Sequence, residues 1–183
     1  MNSKYILILI LALAAGLLIG CANSLPEKAG THYQQGNAYR LAGDMEQAIA
    51  SYSKAIELNP DCAEAYYGRG LAYVDSGDLE QAIADFDQAI TLNPNFALAY
   101  SQRGNAYRLA GDPMLAMRDY DIALELYPEE VEVYYNRGIA CADAGDPQQA
   151  IKDFEQYLAR APDAPNWERA VDAITDLKAE VVP

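Results

Sequence analysis

Three hydrophobic patterns succeed one another along this chain. Residues 5–19 form an almost unbroken apolar run; residues 29–164 carry small and aromatic positions that return at a fixed interval; and from Asn166 apolar residues recur at helical spacing. The middle pattern dominates. Segments beginning at Gln35 (QGNAYRLAGD), Arg69 (RGLAYVDSGD), Arg103 (RGNAYRLAGD) and Arg137 (RGIACADAGD) follow one another every 34 residues. A period of this length marks a stacked array of supersecondary units. The units are 29–62, 63–96, 97–130 and 131–164.

Punctuation within each unit predicts two helices. Gly43, Gly77, Gly111 and Gly145 stand where a first helix must stop, because glycine reaches the left-handed conformation of a helix C-terminus without a Cβ penalty. Asp44, Asp78, Asp112 and Asp146 follow as expected N-caps of a second helix, with Pro113 and Pro147 in its first turn. Pro60, Pro94, Pro128 and Pro162 then close each unit. Gly36, Gly70, Gly104 and Gly138 on first helices, and Ala48, Ala82, Ala116 and Ala150 on second helices, allow the two axes to approach closely. Large residues are expected in the seams: Tyr39, Tyr73 and Tyr107 on first helices, and Tyr52, Phe86, Tyr120 and Phe154 on second helices. Cys141 replaces the tyrosine in the last unit.

This order of small, aromatic and terminating residues resembles the tetratricopeptide repeat family over residues 29–164. The resemblance implies an all-α, right-handed superhelical solenoid of four hairpins, with first helices lining a concave groove. Ala55, Ala89 and Ala123 keep a second small position, whereas the last unit has Tyr157, so its outer surface should pack differently. Residues 165–183 would supply the cover. Trp167, Ala170, Val171, Ile174 and Leu177 form one helical stripe, and a terminal repeat needs a polar-faced cap. Trp167 could alternatively anchor a partner, but the need for a cap favours the first reading.

Charge adds a pairing. Arg69, Arg103 and Arg137 precede the shared glycine, and Asp85, Asp119 and Asp153 lie sixteen residues later; in the first unit both change, to Gln35 and Ser51. Joint presence and joint loss predict a charge-assisted contact between the two helices of one unit. A longer rhythm is also present: GNAYRLAGD recurs unchanged from Gly36 and Gly104, and Glu64 and Glu132 begin the same Glu-x-x-Tyr start, as if the array were two copies of a 68-residue pair.

The N-terminal run has signal-peptide architecture: Lys4 supplies a weakly positive start, and the run is shorter than the roughly 20 residues that span a bilayer comfortably. Leu18-Ile19-Gly20-Cys21 resembles the lipobox of bacterial lipoproteins. That resemblance implies removal of residues 1–20, acylation of Cys21 on its sulfur and amino group, and a linker over 21–28. Two or more acyl chains hold durably where one does not. Ala22 stands where an inner-membrane retention signal would have Asp, so by resemblance the protein would reach an outer membrane where the cell has one. Cys62 and Cys141 lie in different units and read as buried thiols.

The formal charge of −14 excludes the basic stripe that nucleic-acid binding requires. His32 is the single histidine, at the start of the array, and no Cys/His spacing fits a metal. No glycine-rich phosphate loop appears. Neither a cofactor nor a catalytic constellation is expected, and the chain reads as a binding protein. The family resemblance places the ligand face on Tyr33, Asn37 and Arg40; Glu64, Tyr67, Leu71 and Val74; Leu98, Ser101, Asn105 and Arg108; and Glu132, Tyr135, Ile139 and Ala142. Amides, guanidiniums and rigid aromatics suit a peptide or a helix. The clamp that related repeats use for chaperone tails is not reproduced: only Asn37 matches, and the other sites hold Tyr33, Gly68, Leu98 and Gln102. The resemblance implies an envelope adaptor or, alternatively, a pilotin-like assembly factor for an outer-membrane component.

Overall fold

The computed structural model describes residues 27–181. The signal segment 1–20, Cys21 and most of the linker lie outside the described residues. Nine helices form the described part: α1 (Glu27–Leu41), α2 (Met45–Leu58), α3 (Ala63–Ser76), α4 (Leu79–Leu92), α5 (Ala97–Leu109), α6 (Pro113–Leu126), α7 (Val131–Asp143), α8 (Pro147–Arg160) and α9 (Trp167–Val181). No strand occurs among them. Helices α1 to α8 pair as four antiparallel hairpins stacked in chain order, and α9 lies on α8. No described helix is long and apolar enough to cross a membrane.

Each hairpin turn is built the same way. Gly43, Gly77, Gly111 and Gly145 hold φ of 82°, 87°, 90° and 79°. At the second of these, the Gly77 N–H donates to the Val74 carbonyl at 3.0 Å and the Asp78 N–H to the Tyr73 carbonyl at 2.8 Å, so the orphan carbonyls at the end of α3 are satisfied without extra residues. The four aspartates all occupy N-cap positions, but only Asp44 and Asp146 cap with their side chains, accepting from the Gln47 and Gln149 N–H groups at 3.1 Å. The Asp78 carboxylate lies instead 3.5 Å from the Ser76 hydroxyl; nothing in the structure explains the uncapped Asp112.

The core is a line of rings set against small residues. Tyr52, Phe86 and Tyr120 are fully buried and Phe154 is 2% exposed. A Cβ added to Gly36 would stand 2.7 Å from the Tyr52 ring, and one at Gly70 would stand 2.7 Å from Phe86, so each ring fills the volume a side chain would need. Full burial of one such ring stabilises by about 1.5–3 kcal/mol. Gly68 does the same on the other side of Tyr52, at 2.7 Å, and joins the first hairpin to the second. Tyr39 departs from expectation: it is exposed, whereas Tyr107 shares a cleft with Asp87 and Ile90 of the hairpin before it. Among the described residues the first hairpin has no predecessor to cover Tyr39.

At the far end Tyr157 is fully buried, its ring 5.0 Å from that of Tyr135. Ala170 and Ile174 of α9 complete that cluster, with Leu177 packed beside them. A tyrosine fits where the other units have alanine because a single helix, with a small residue at Ala170, follows instead of a hairpin. Trp167 is 40% exposed and lies at the edge of this cover.

The predicted ion pairs are present and bidentate. Arg69 donates from Nε and Nη2 to the two Asp85 oxygens, both at 2.7 Å, and Arg103 with Asp119 and Arg137 with Asp153 repeat the arrangement at 2.7–2.8 Å. Each guanidinium also reaches the preceding hairpin, through Nη1, to Ser53, Asp87 and Asp121 in turn. Thus one arginine locks both its own hairpin and the joint to the previous one. Among the described residues the first unit has no previous hairpin to join, and there Gln35 and Ser51 stand in place of the pair. There His32 stands where Tyr66, Tyr100 and Tyr134 lie beneath the other arginines, and it contacts Gln35 at 3.0 Å.

Candidate functional site

First helices of successive hairpins touch one another, α1 with α3, α3 with α5 and α5 with α7, whereas second helices stand further apart. The stack therefore curves with first helices inside, and their free faces form one continuous groove.

The groove residues divide into stations. At the first, Tyr33 packs its ring 5.9 Å from that of Tyr52, the Tyr52 hydroxyl donates to Asn37 Oδ1 at 2.6 Å, and Arg40 Nη1 meets Asp75 at 3.3 Å. Burial pushes the Tyr52 phenol above its ordinary range, so it remains a donor at neutral pH. At the second, Tyr67 sits between Phe86 and Phe96 at 5.9 and 5.0 Å, with its pKa pushed up to about 12 by burial. Leu71 and Val74 pack on the same core, and Glu64 lies 3.6 Å from the Cys62 sulfur.

The third station repeats the first. Tyr120 donates to Asn105 Oδ1 at 2.7 Å, Asn105 donates to Gln102 at 3.1 Å, and Arg108 lies beside the Tyr120 hydroxyl. Leu98 is 44% exposed at its edge, while Ser101 is only 6% exposed. The fourth repeats the second: Tyr135 is 9% exposed beneath Phe154 and Tyr157, Ile139 and Ala142 pack on the last core cluster, and Glu132 faces solvent. Ser101 and Tyr135 therefore offer a ligand little surface. Arg40, Leu98, Asn105, Arg108 and Glu132 offer more.

Two features escaped the sequence reading. The asparagine oxygens are already occupied by tyrosine hydroxyls, so what they can offer a ligand is amide N–H, of which Asn105 already gives one to Gln102. The signal for this was present: Tyr52 and Tyr120 accompany Asn37 and Asn105, whereas Phe86 and Phe154 accompany Leu71 and Ile139. The backward reach of each arginine was the second, marked by Asp87 and Asp121 sixteen residues upstream.

No set of three His, Cys, Asp or Glu side chains is placed to hold a metal among the described residues. Cys62 and Cys141 are buried free thiols, and burial pushes the Cys141 pKa up to about 12. A second concavity, of about 410 Å³, opens between the second and third hairpins and is lined by Tyr100, Tyr107, Arg103, Leu115 and Arg118. Its central guanidinium is held by Asp87 and Asp119.

Comparison with known proteins agrees with this architecture. The TPR repeat pattern matches residues 36–77 and 70–111, and a further tetratricopeptide repeat pattern matches residues 104–175. No curated protein matches the sequence. Among solved structures, the MamA protein superposes with a TM-score of 0.75 at 24% identity, over 82% of this chain and 81% of that one. PilF of Pseudomonas aeruginosa gives 0.74 at 23% identity, over 84% and 69%. The first TPR of Spaghetti (RPAP3), bound to the HSP90 peptide SRMEEVD, gives 0.64 at 28% identity, over 65% and 94%. With the repeat patterns matched from residue 36 to 175 and the hairpin stack in place, this chain belongs to the tetratricopeptide repeat family.

Proposed function

We propose that this protein is a lipid-anchored interaction scaffold of the bacterial cell envelope, which holds a peptide or helix of a partner protein along its first helices. The observation that carries the reading is the inner face itself: guanidinium, amide and carboxylate groups at Arg40, Asn105, Arg108 and Glu132 alternate with apolar ground at Leu71 and Ile139. Such a face binds a polypeptide by side-chain and backbone contacts together. The RPAP3 repeat carries a peptide, which supports a protein partner as the general class. Catalysis is not part of the proposal; the buried pairs Arg69–Asp85, Arg103–Asp119 and Arg137–Asp153 serve the hairpin joints.

The membrane part of the proposal rests on Leu18-Ile19-Gly20-Cys21 and the apolar run before it. Between Cys21 and Glu27 the chain can extend at most roughly 20 Å, so the groove would work close to the bilayer. The same placement would serve an assembly factor for an outer-membrane component.

Two measurements test this. Changing Cys21 to Ser should release the protein from the membrane fraction; retention there would sink the anchor. In-cell crosslinking beside a variant carrying Leu98→Ser, Arg108→Gln and Glu132→Gln should lose partners that the wild type captures. Partners retained by both would move the site away from the inner face, and the identity of those lost separates a soluble client from an outer-membrane one.

A further inference from the structure

The inner face has a longer rhythm than the hairpin. Asn37, Arg40 and Tyr52 recur as Asn105, Arg108 and Tyr120, while the stations between and after them carry Leu71, Val74 and Phe86, then Ile139, Ala142 and Phe154. Polar and apolar stations thus alternate along the groove.

Both polar stations are unfinished in the same way. Nε of Arg40 and Nε of Arg108 are buried without a hydrogen-bond acceptor, and no other described guanidinium shares this state. Arg69, Arg103 and Arg137, by contrast, each spend three nitrogens on acceptors. An identical deficit at two positions 68 residues apart is a property of the site. Each guanidinium lies against the tyrosine hydroxyl of its own station, Tyr52 or Tyr120; beyond that Arg40 has one long ion pair, to Asp75 at 3.3 Å, and Arg108 makes no ion pair among the described residues.

Resting on the groove reading above, we propose that the inner face takes an extended polypeptide segment with two acidic side chains about six residues apart, one for Arg40 and one for Arg108. An apolar residue between them lies over Leu71 and Val74. A carboxylate is the acceptor that engages Nε and an Nη of one guanidinium together, after a turn of the arginine side chain. The spacing follows from packing: helices in contact lie about 8–10 Å apart, so α1 and α5, separated by α3, stand about 16–20 Å apart. An extended chain covers that distance in about five or six residues. Glu64 and Glu132 border the apolar stations and repel continuous acidic runs, so the face selects separated acids. At Arg40 the ligand must displace Asp75, which makes Arg108 the stronger station.

The test uses the full-length protein in detergent and synthetic peptides with two glutamates at varied separation, leucine midway, and glutamine-substituted controls. Fluorescence anisotropy should show an optimum near five or six residues, about tenfold or more above the glutamine control, since a charge-assisted hydrogen bond contributes at least that much. Arg108→Gln should abolish the preference, Arg40→Gln should weaken it less, and Arg108→Lys should retain part of it. Should a variant unfold, raising salt on the wild-type protein must still erase the glutamate advantage. Equal binding of glutamine peptides, or a preference untouched by Arg108→Gln, overturns the acidic specificity while the groove reading stands. Failure of every peptide, with in-cell crosslinks mapping off the first helices, overturns both.

Discussion

Lys178 on α9 lies 3.0 Å from Glu155 on α8, in the place where Arg103 meets Asp87 and Arg137 meets Asp121. The capping helix therefore engages Glu155, the acidic position one period after Asp121, with a lysine that is out of register with the joint arginines, since Val171 stands one period after Arg137. Because this terminal pair is about half exposed on both sides, its contribution is small beside the apolar contacts of Ala170 and Ile174.

Removal of the cap should matter more than removal of its charge. Lys178→Ala should leave thermal stability within about 0.5 kcal/mol of wild type. Deletion of residues 165–183 exposes the Tyr157 and Phe154 cluster and should produce aggregation in size-exclusion chromatography. A monodisperse truncated protein of unchanged melting temperature would show that α9 is not a cap.

The arginine joints give an ordered series. Arg103→Ala strands Asp119, whose side chain is 3% exposed, and should cost about 3–5 kcal/mol in urea unfolding. Asp87→Ala removes only the outer partner, 52% exposed, and should cost at most about 1 kcal/mol. Similar losses for both would mean that the inner pair has no special weight.

Two glycine substitutions separate clash from strain. Gly70→Ala would place a Cβ 2.7 Å from the Phe86 ring, and should destabilise by about 1–3 kcal/mol through overpacking. Gly111→Ala meets nothing within 4 Å but must hold φ near 90°, so it should cost about 1 kcal/mol through the backbone alone. Shortening the facing ring with Phe86→Leu should recover part of the first loss and none of the second; recovery of both would contradict the assignment.

Cysteine chemistry provides a check on burial. The Cys141 thiol, held up to about 12 by its enclosed position, should resist iodoacetamide at pH 8 in the folded protein and react once urea unfolds it. Rapid native alkylation at Cys141 would show that the last hairpin opens readily.

The sequence by itself determined the repeat, the hairpin punctuation and the Arg–Asp pairing. Each depends on local backbone preference or on residues that vary together within one chain: a glycine at positive φ, a proline that stops a helix, an arginine lost with its aspartate. Which groove residues remain available was decided only by the tertiary structure. Ser101 and Tyr135 lie on the helical face that the family uses, yet Ser101 is buried and Tyr135 is covered by Phe154 and Tyr157 of the second helix of its own hairpin, and Asn37 lends its oxygen to a tyrosine from another helix. The backward reach of the arginines and the unfinished Nε atoms belong to the same class. They arise where helices distant in sequence meet, and helical periodicity says which face a residue occupies but not what arrives opposite it.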